Sequence, residues 1–262
     1  MKSHAVMISP MQFLVIGAGG LGCPALLGLQ AGGARRITIV DDDHVDLSNL
    51  ARQVLFSGAD VGVSKVDAAR QALLGRCRDS PPPAEITPLR RRLRADDLDG
   101  LLAELTAGSP RSWVVLECSD SPALKFAVHD ACVRAGLRVV VGGVVGWHGQ
   151  AMAVDPGQRE AACYRCLFEA PPPPELAPAC ATVGVAGPVA GAVGHAMAGL
   201  AIGLAGPHAL DRSPAGVCLH FDLLRGGVRR LAPTPRPSCV TCSTAIELHG
   251  GAPSPDHSPQ DR

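Results

Sequence analysis

Aromatic side chains are scarce in this chain: Phe, Trp and Tyr make up 3% of its 262 residues. The core must be filled by Ala, Gly, Leu and Val, which suits the close-packed layers of an α/β domain. An excess of either charge is lacking too. Lys and Arg number 24 and Asp and Glu number 24. This balance removes any bulk attraction to nucleic acid or an anionic membrane. No secretory leader is expected either: Lys2 precedes the apolar residues 5–8, but Pro10 intrudes before an h-region develops. The expected location is cytoplasmic, where the ten cysteines need a reading other than disulfides. The length suits one large α/β domain, long enough to bury a substantial core.

What is present centres on residues 13–46. A short apolar run, residues 13–16, leads into Gly17-Ala18-Gly19-Gly20-Leu21-Gly22. A helix-like segment follows, then a second apolar run, residues 37–40, ending in Asp41-Asp42-Asp43. This order of strand, glycine turn, helix, strand and acid predicts a nucleotide site. Gly17, Gly19, Gly20 and Gly22 allow a sharp turn and close approach to a phosphate, and the next helix points its N-terminus at the anion. Asp41 stands about 20 residues past the turn, where an acid reaches a ribose hydroxyl. The pattern alone leaves NAD and ATP open.

Further along, residues 47–65 form a long connection of the kind that is usually functional. Arg52 and Lys65 in it each suit a phosphate or serve as plain surface cations. Helices are expected over residues 65–74, 95–103 and 122–135. Strands are expected over 85–89, 113–117, 139–141 and 149–154, with a strand pair at 217–222 and 228–231. The order reads as a Rossmann-like, doubly wound, mostly parallel sheet with a C-terminal strand region. Arg90, Arg91, Arg92 and Arg94 read as a solvated surface. Asp120 follows the strand at 113–117, on the ligand side of such a sheet. It is a candidate Mg²⁺ ligand, or Ser119 or Asp120 simply caps the next helix.

Cys163 and Cys166 form one CxxC knuckle, and Cys239 and Cys242 form a second. Two such turns complete a tetrahedral Cys₄ zinc site with no open position, a structural rather than catalytic centre. Cys23, Cys77, Cys118, Cys132 and Cys218 read as small core residues. Cys180 lies in a proline-rich linker, either incidental or presenting its thiol to a partner. Residues 183–205 are long and apolar, but Pro188, His195 and several glycines argue for a buried or dimer-facing helix rather than a membrane span. One domain is expected over residues 1–249, with a crossover loop at about 167–182. Residues 250–262 are Pro-, Ser- and Asp-rich and are expected to be disordered.

Taken together, the glycine turn, Asp41, Ser48-Asn49-Leu50-Ala51-Arg52-Gln53, Lys65, Cys118-Ser119-Asp120, Gly149-Gln150 and the two CxxC knuckles closely resemble the ThiF/MoeB/HesA family. These are bacterial relatives of ubiquitin-activating enzymes, and the likeness runs from residue 13 to 242. The stretch around Cys180 looks more like the thiamine-pathway member. The resemblance implies ATP rather than NAD, with Mg²⁺ and structural Zn²⁺. It implies adenylation of the C-terminal glycine carboxylate of a small ubiquitin-fold sulfur carrier ending in Gly-Gly. By this resemblance, the glycine turn holds phosphates and Asp41 binds ribose. Asn49, Arg52, Gln53 and Lys65 line the triphosphate path, Asp120 holds Mg²⁺, and Cys180 matches a crossover-loop cysteine that can link to the carrier. A homodimer and a separate sulfur donor are implied as well. Departures are visible. Residues 1–12 lack the arginine that the family sends to the partner's ATP, Ser121 replaces an Asn, and Ala198 and Ala201 replace Glu and Lys. The alternatives are a non-catalytic adaptor for ubiquitin-like proteins, or an enzyme activating another carboxylate, such as a peptide or a modified tRNA group.

Overall fold

Short runs of Val, Ile and Leu bounded by glycines and charges pair here as strands, and helices cover both faces. The computed structural model describes residues 11–76, 85–173, 183–206 and 213–243. Five strands run parallel: β1 (Gln12–Ile16), β2 (Arg36–Asp41), β3 (Glu85–Arg90), β4 (Trp113–Glu117) and β5 (Arg138–Val145). Three more continue the sheet antiparallel: β6 (His148–Val154), β7 (Cys218–Asp222) and β8 (Gly227–Leu231). The order is β3-β2-β1-β4-β5-β6-β7-β8. The helices are α1 (Gly22–Ala31), α2 (Lys65–Arg76), α3 (Leu98–Thr106), α4 (Pro122–Arg134), α5 (Tyr164–Leu167) and α6 (Gly187–Ala205).

Alternate residues of β1 feed different cores, as a pleat of period two requires. Phe13 and Val15 join Leu26, Leu29, Val193 and Met197 on the face covered by α1 and α6. Leu14 and Ile16 join Leu98, Leu102, Phe126 and Val128 on the face covered by α3 and α4. The order reverses between β1 and β4, which lie side by side. In a doubly wound sheet the ligand crevice opens at the C-terminal ends of such a pair.

The apolar helix expected over 183–205 is α6, beginning at Gly187-Pro188, as proline at a first helical position favours. It has 19 residues and a mean hydropathy of 1.5, yet it packs as a core helix. Val189, Val193, Met197 and Ala201 are fully buried. Small residues bring its backbone against α1, with Gly28 facing Ala198 and Gly194 facing Pro24. Besides the start of α6, two elements shift by three residues or more from the sequence reading. A single 3₁₀ turn, Ala95–Asp97, precedes α3, which runs Leu98–Thr106. β5 also does not stop at Val141 but runs through Gly142-Gly143 to Val145. The reason is close packing: a Cβ on Gly142 would sit 2.2 Å from the Met197 sulfur, so that glycine admits α6 rather than ending the strand. Cys23, Cys118, Cys132 and Cys218 are buried, as expected. Cys77, Cys180, most of the crossover loop and the tail lie outside the described residues.

Candidate active site

Every loop at the β1/β4 switch point opens onto one cleft of about 500 Å³. The glycine turn forms its floor. Gly17 has φ +92°, and a Cβ there would lie 3.0 Å from the Cys118 backbone. Both the left-handed conformation and the approach of the β4 loop therefore require glycine. A Cβ on Gly22 would fall 1.9 Å from the Gly17 carbonyl oxygen, so Gly22 seats α1 against the turn and does not itself line the cleft. Gly19 and Gly20 do line it. α1 begins there without a side-chain cap, but the Cys23 amide donates to the Gly19 carbonyl and the Ala25 amide to the Leu21 carbonyl. Pro24 has no N–H, so any anion here is met chiefly by the amides of the glycine turn itself. Asp41 closes β2 over the turn: its Oδ2 accepts from the Ala18 amide at 2.7 Å and its Oδ1 from the Asp43 amide at 2.9 Å.

The long connection after β2 is ordered by its own polar groups. Asp46 caps the 3₁₀ turn Leu47–Asn49 by accepting from the Ser48 amide. The Val45 amide donates to the Val63 carbonyl at 2.8 Å, which draws the loop ends together. Leu55 and Phe56 anchor it in the core. The loop thereby delivers Asn49, Arg52, Gln53 and Lys65 to the cleft. The surface-cation reading of Lys65 is wrong. Lys65 is 6% exposed and its Nζ lies 2.7 Å from Asp43 Oδ2. Burying an ammonium requires such a partner. Arg52 donates to the side-chain oxygen of Asn49. Gln53 is 3% exposed, and its Oε1 has no donor among the described residues. A buried acceptor facing a cleft calls for a donor from a ligand, as the hydration shell of a cation or a ribose supplies.

The opposite wall is the loop after β4. Ser121, rather than Ser119 or Asp120, caps α4 by accepting from the Leu124 amide at 3.3 Å. That leaves the exposed Asp120 carboxylate on the cleft wall. Behind it lies a buried charge pair that the sequence reading missed. Glu117 is fully buried, and its Oε2 accepts from Lys125 Nζ at 2.8 Å. Glu117 Oε1 also accepts from the Ser119 amide at 3.0 Å, and Lys125 also donates to the Ser119 carbonyl. Burial pushes the Glu117 carboxyl up, and Lys125 offsets only part of that rise. Arg91 and Arg92, read as solvated, also line the cleft, beside Leu93. A charged strand end beside Asp41, across the β2–β3 pair, was the available signal.

Away from the cleft, Cys163, Cys166, Cys239 and Cys242 bring their sulfurs within 4.8 Å of one another. Cys163 and Cys239 are 3.5 Å apart, and Cys166 and Cys242 3.6 Å. The neighbouring thiols, Cys163 foremost, hold the Cys242 thiol below its ordinary range. Four converging thiols are a donor set compatible with tetrahedral zinc. All the sequence-derived nucleotide candidates except Gly22 thus meet in one cleft, and the four cysteines meet in a second place.

Known proteins resemble this chain along most of its length. The mouse (Mus musculus) adenylyltransferase and sulfurtransferase MOCS3 is 39% identical over 232 residues, covering 87% of this chain and 47% of its own length. This chain therefore spans about half the length of that relative. The sulfur carrier protein ThiS adenylyltransferase of Escherichia coli is 36% identical over 231 residues, covering 88% of this chain and 85% of its own. Among solved structures, E. coli MccB with ATP superposes with a TM-score of 0.72 at 21% identity, over 90% of this chain and 68% of MccB. That likeness is one of fold. The family described as ThiF matches residues 4–241, and the chain belongs to the ThiF family.

Proposed function

We propose that this chain uses ATP to adenylate the C-terminal glycine carboxylate of a ubiquitin-fold sulfur carrier, releasing pyrophosphate. One observation supports this reading above all: Asp41, Asn49, Arg52, Gln53, Lys65 and Asp120 line a single cleft beside the glycine turn. The relatives' names point to the same reaction. The carrier carboxylate oxygen bonds to the α-phosphorus of ATP as the bond to the pyrophosphate oxygen breaks. Nucleophile and leaving group are both anions, so alignment and charge neutralisation, not proton transfer, govern the rate. Arg52 and Lys65 neutralise the phosphates, the glycine-turn amides hold them, and Asp41 holds the ribose. Asp120, on the cleft wall, would hold Mg²⁺, which would offset phosphate charge. A Zn²⁺ held by Cys163, Cys166, Cys239 and Cys242 serves stability.

The remaining proposals are a cytoplasmic homodimer, a separate sulfur donor, and a covalent link from Cys180 to the carrier, in which the Cys180 thiolate bonds to the adenylated carbonyl carbon as AMP leaves. The test is pyrophosphate release with candidate carriers ending in Gly-Gly. Carrier-dependent release that Asp120→Ala abolishes is expected. Carrier binding without any ATP consumption would favour the non-catalytic adaptor instead.

A further inference from the structure

The two cysteine knuckles do not stand apart from the cleft. Both are fastened to α4, the helix whose first turn carries the cleft wall. In the first knuckle, Arg165 grips the Asp130 carboxylate with Nε at 2.9 Å from each oxygen and Nη2 at 2.7 Å. The Tyr164 amide donates to His129 Nε2 at 3.2 Å. In the second knuckle, Thr241 Oγ1 donates to Asp130 Oδ1 at 3.0 Å, across 111 residues of sequence. Arg165 lies between Cys163 and Cys166, and Thr241 between Cys239 and Cys242. Asp130 is thus the one carboxylate that both knuckles share among the described residues. The contact face is packed: the Arg165 guanidinium lies 4.9 Å from the Phe126 ring centre, and the Tyr164 ring 5.1 Å. His129 is fully buried.

One helical turn nearer the cleft, Lys125 is tied to Glu117 and to the Ser119 carbonyl. Ser119 immediately precedes Asp120. Residues four apart share a helix face, so Lys125 and His129 lie on one side of α4, and His129 Nδ1 in turn lies 2.9 Å from Asp130 Oδ1. We infer that Asp130 is a positioning residue that couples the cysteine metal centre to the ATP-binding loop, with α4 as the connecting element. Zinc and Mg·ATP then favour the same placement of α4, and each tightens the binding of the other by the same factor.

The experiment uses the full zinc-loaded chain, Asp130→Asn and the milder Thr241→Val, with zinc content and melting temperature recorded for each. Mg·ATP affinity is read by displacement of a fluorescent ATP analogue. Zinc affinity is read by competition with a chromogenic chelator, with and without saturating Mg·ATP. In wild type, zinc is held about fivefold tighter when Mg·ATP is bound, the lower end of common couplings. Zinc-loaded Asp130→Asn binds Mg·ATP more weakly by a similar factor, and its zinc affinity no longer responds to Mg·ATP. Thr241→Val loses part of the response. Equal zinc affinity in wild type with and without Mg·ATP overturns the inference. So do zinc-loaded variants that bind Mg·ATP as wild type does. The inference rests on the ATP reading of the cleft, whose failure looks different: wild type then displaces no ATP analogue at all, which overturns both.

Discussion

The glycine-turn side of the cleft and the cysteine side are built by opposite means. At β1 the loops are positioned by atoms left out. Gly17 and Gly22 let two backbones meet at distances that no side chain permits. Beyond β4 they are positioned by contacts put in: a buried Glu117–Lys125 pair, Asp130 gripped by Arg165 and Thr241, and four sulfurs within 4.8 Å. A contact made by omission has no titratable or extractable part, and any added atom breaks it. Contacts made by charge and sulfur can be weakened stepwise by chelator, acid or salt. The two sides should therefore fail under different treatments.

The largest effect falls on the cysteine side. Structural zinc contributes on the order of 10 kcal/mol of apparent folding free energy in small domains. Stripping the metal with a strong chelator should lower the melting temperature more than any single substitution discussed here. The measurement is calorimetry beside zinc content, with one zinc per chain expected. A melting curve indifferent to chelation would remove the metal from this side of the comparison.

Next comes the chemistry that the two sides share. Lys65→Met replaces a buried ammonium by an apolar chain of similar shape. Removing one positioned charge-stabilising group commonly costs about 10²–10³ in kcat. The same loss is expected in carrier-dependent pyrophosphate release, with the carrier Kd unchanged. A loss confined to KM would place Lys65 in ground-state binding only.

Gly22→Ala then tests omission directly. The added carbon would meet the Gly17 carbonyl at 1.9 Å, and overpacking of this kind costs about 3 kcal/mol. Gly199, with nothing within 4 Å of its virtual Cβ, is the control. Gly199→Ala should stabilise α6 by about 0.5–1 kcal/mol, the helix-propensity difference. Opposite shifts in urea midpoint are expected. Two shifts of the same sign would mean that the turn has slack after all.

The same contrast explains what the sequence made legible. The glycine turn, Asp41 and both CxxC knuckles are local patterns whose spacing carries their meaning, and all sit where that spacing put them. The parallel order also followed from alternating strand and helix signals, because β-α units leave few topologies. Glu117, Lys125 and Asp130 gave no such signal. A charge at a strand end or on a helix looks alike in sequence whether it is solvated or buried. For Asp130, only contacts across 35 residues to Arg165 and 111 to Thr241 decide which it is. Gly142 misled for the converse reason: glycine usually marks a break, and here it marks the approach of Met197 from a distant helix.

Acid should separate the two sides further. Burial pushes the Asp155 carboxyl up, but the bonds from Arg111 and the Gly157 amide outweigh it and hold the group below the ordinary carboxylate range. A carboxyl with a lower pKa folded than unfolded stabilises above its unfolded value, about 3.9. That contribution is lost as the pH falls through the folded value. Asp155→Asn should cost about 2 kcal/mol at neutral pH, less than a fully buried pair because Arg111 is half exposed. The gap to wild type should narrow in urea melts below about pH 4. The Gly22→Ala deficit involves no proton and should stay constant over the same range.

The smallest effect concerns a cation that belongs to neither scheme. Arg90 pairs with Asp67, and Arg91 pairs with Asp97 at 3.5 Å. Arg92 lines the cleft, and its guanidinium has no ion-pair partner among the described residues. An exposed, unpaired guanidinium is fixed by neither omission nor contact, so it acts on a nucleotide only through a screened field. Arg92→Ala should raise the KM for ATP about threefold, in the range of exposed charge interactions, with kcat and melting temperature unchanged. High salt should erase the difference, because it screens exposed charges far more than the buried Lys65–Asp43 contact. A salt-independent rise would mean instead that Arg92 closes onto the ligand, giving the cleft a third wall positioned by the nucleotide itself.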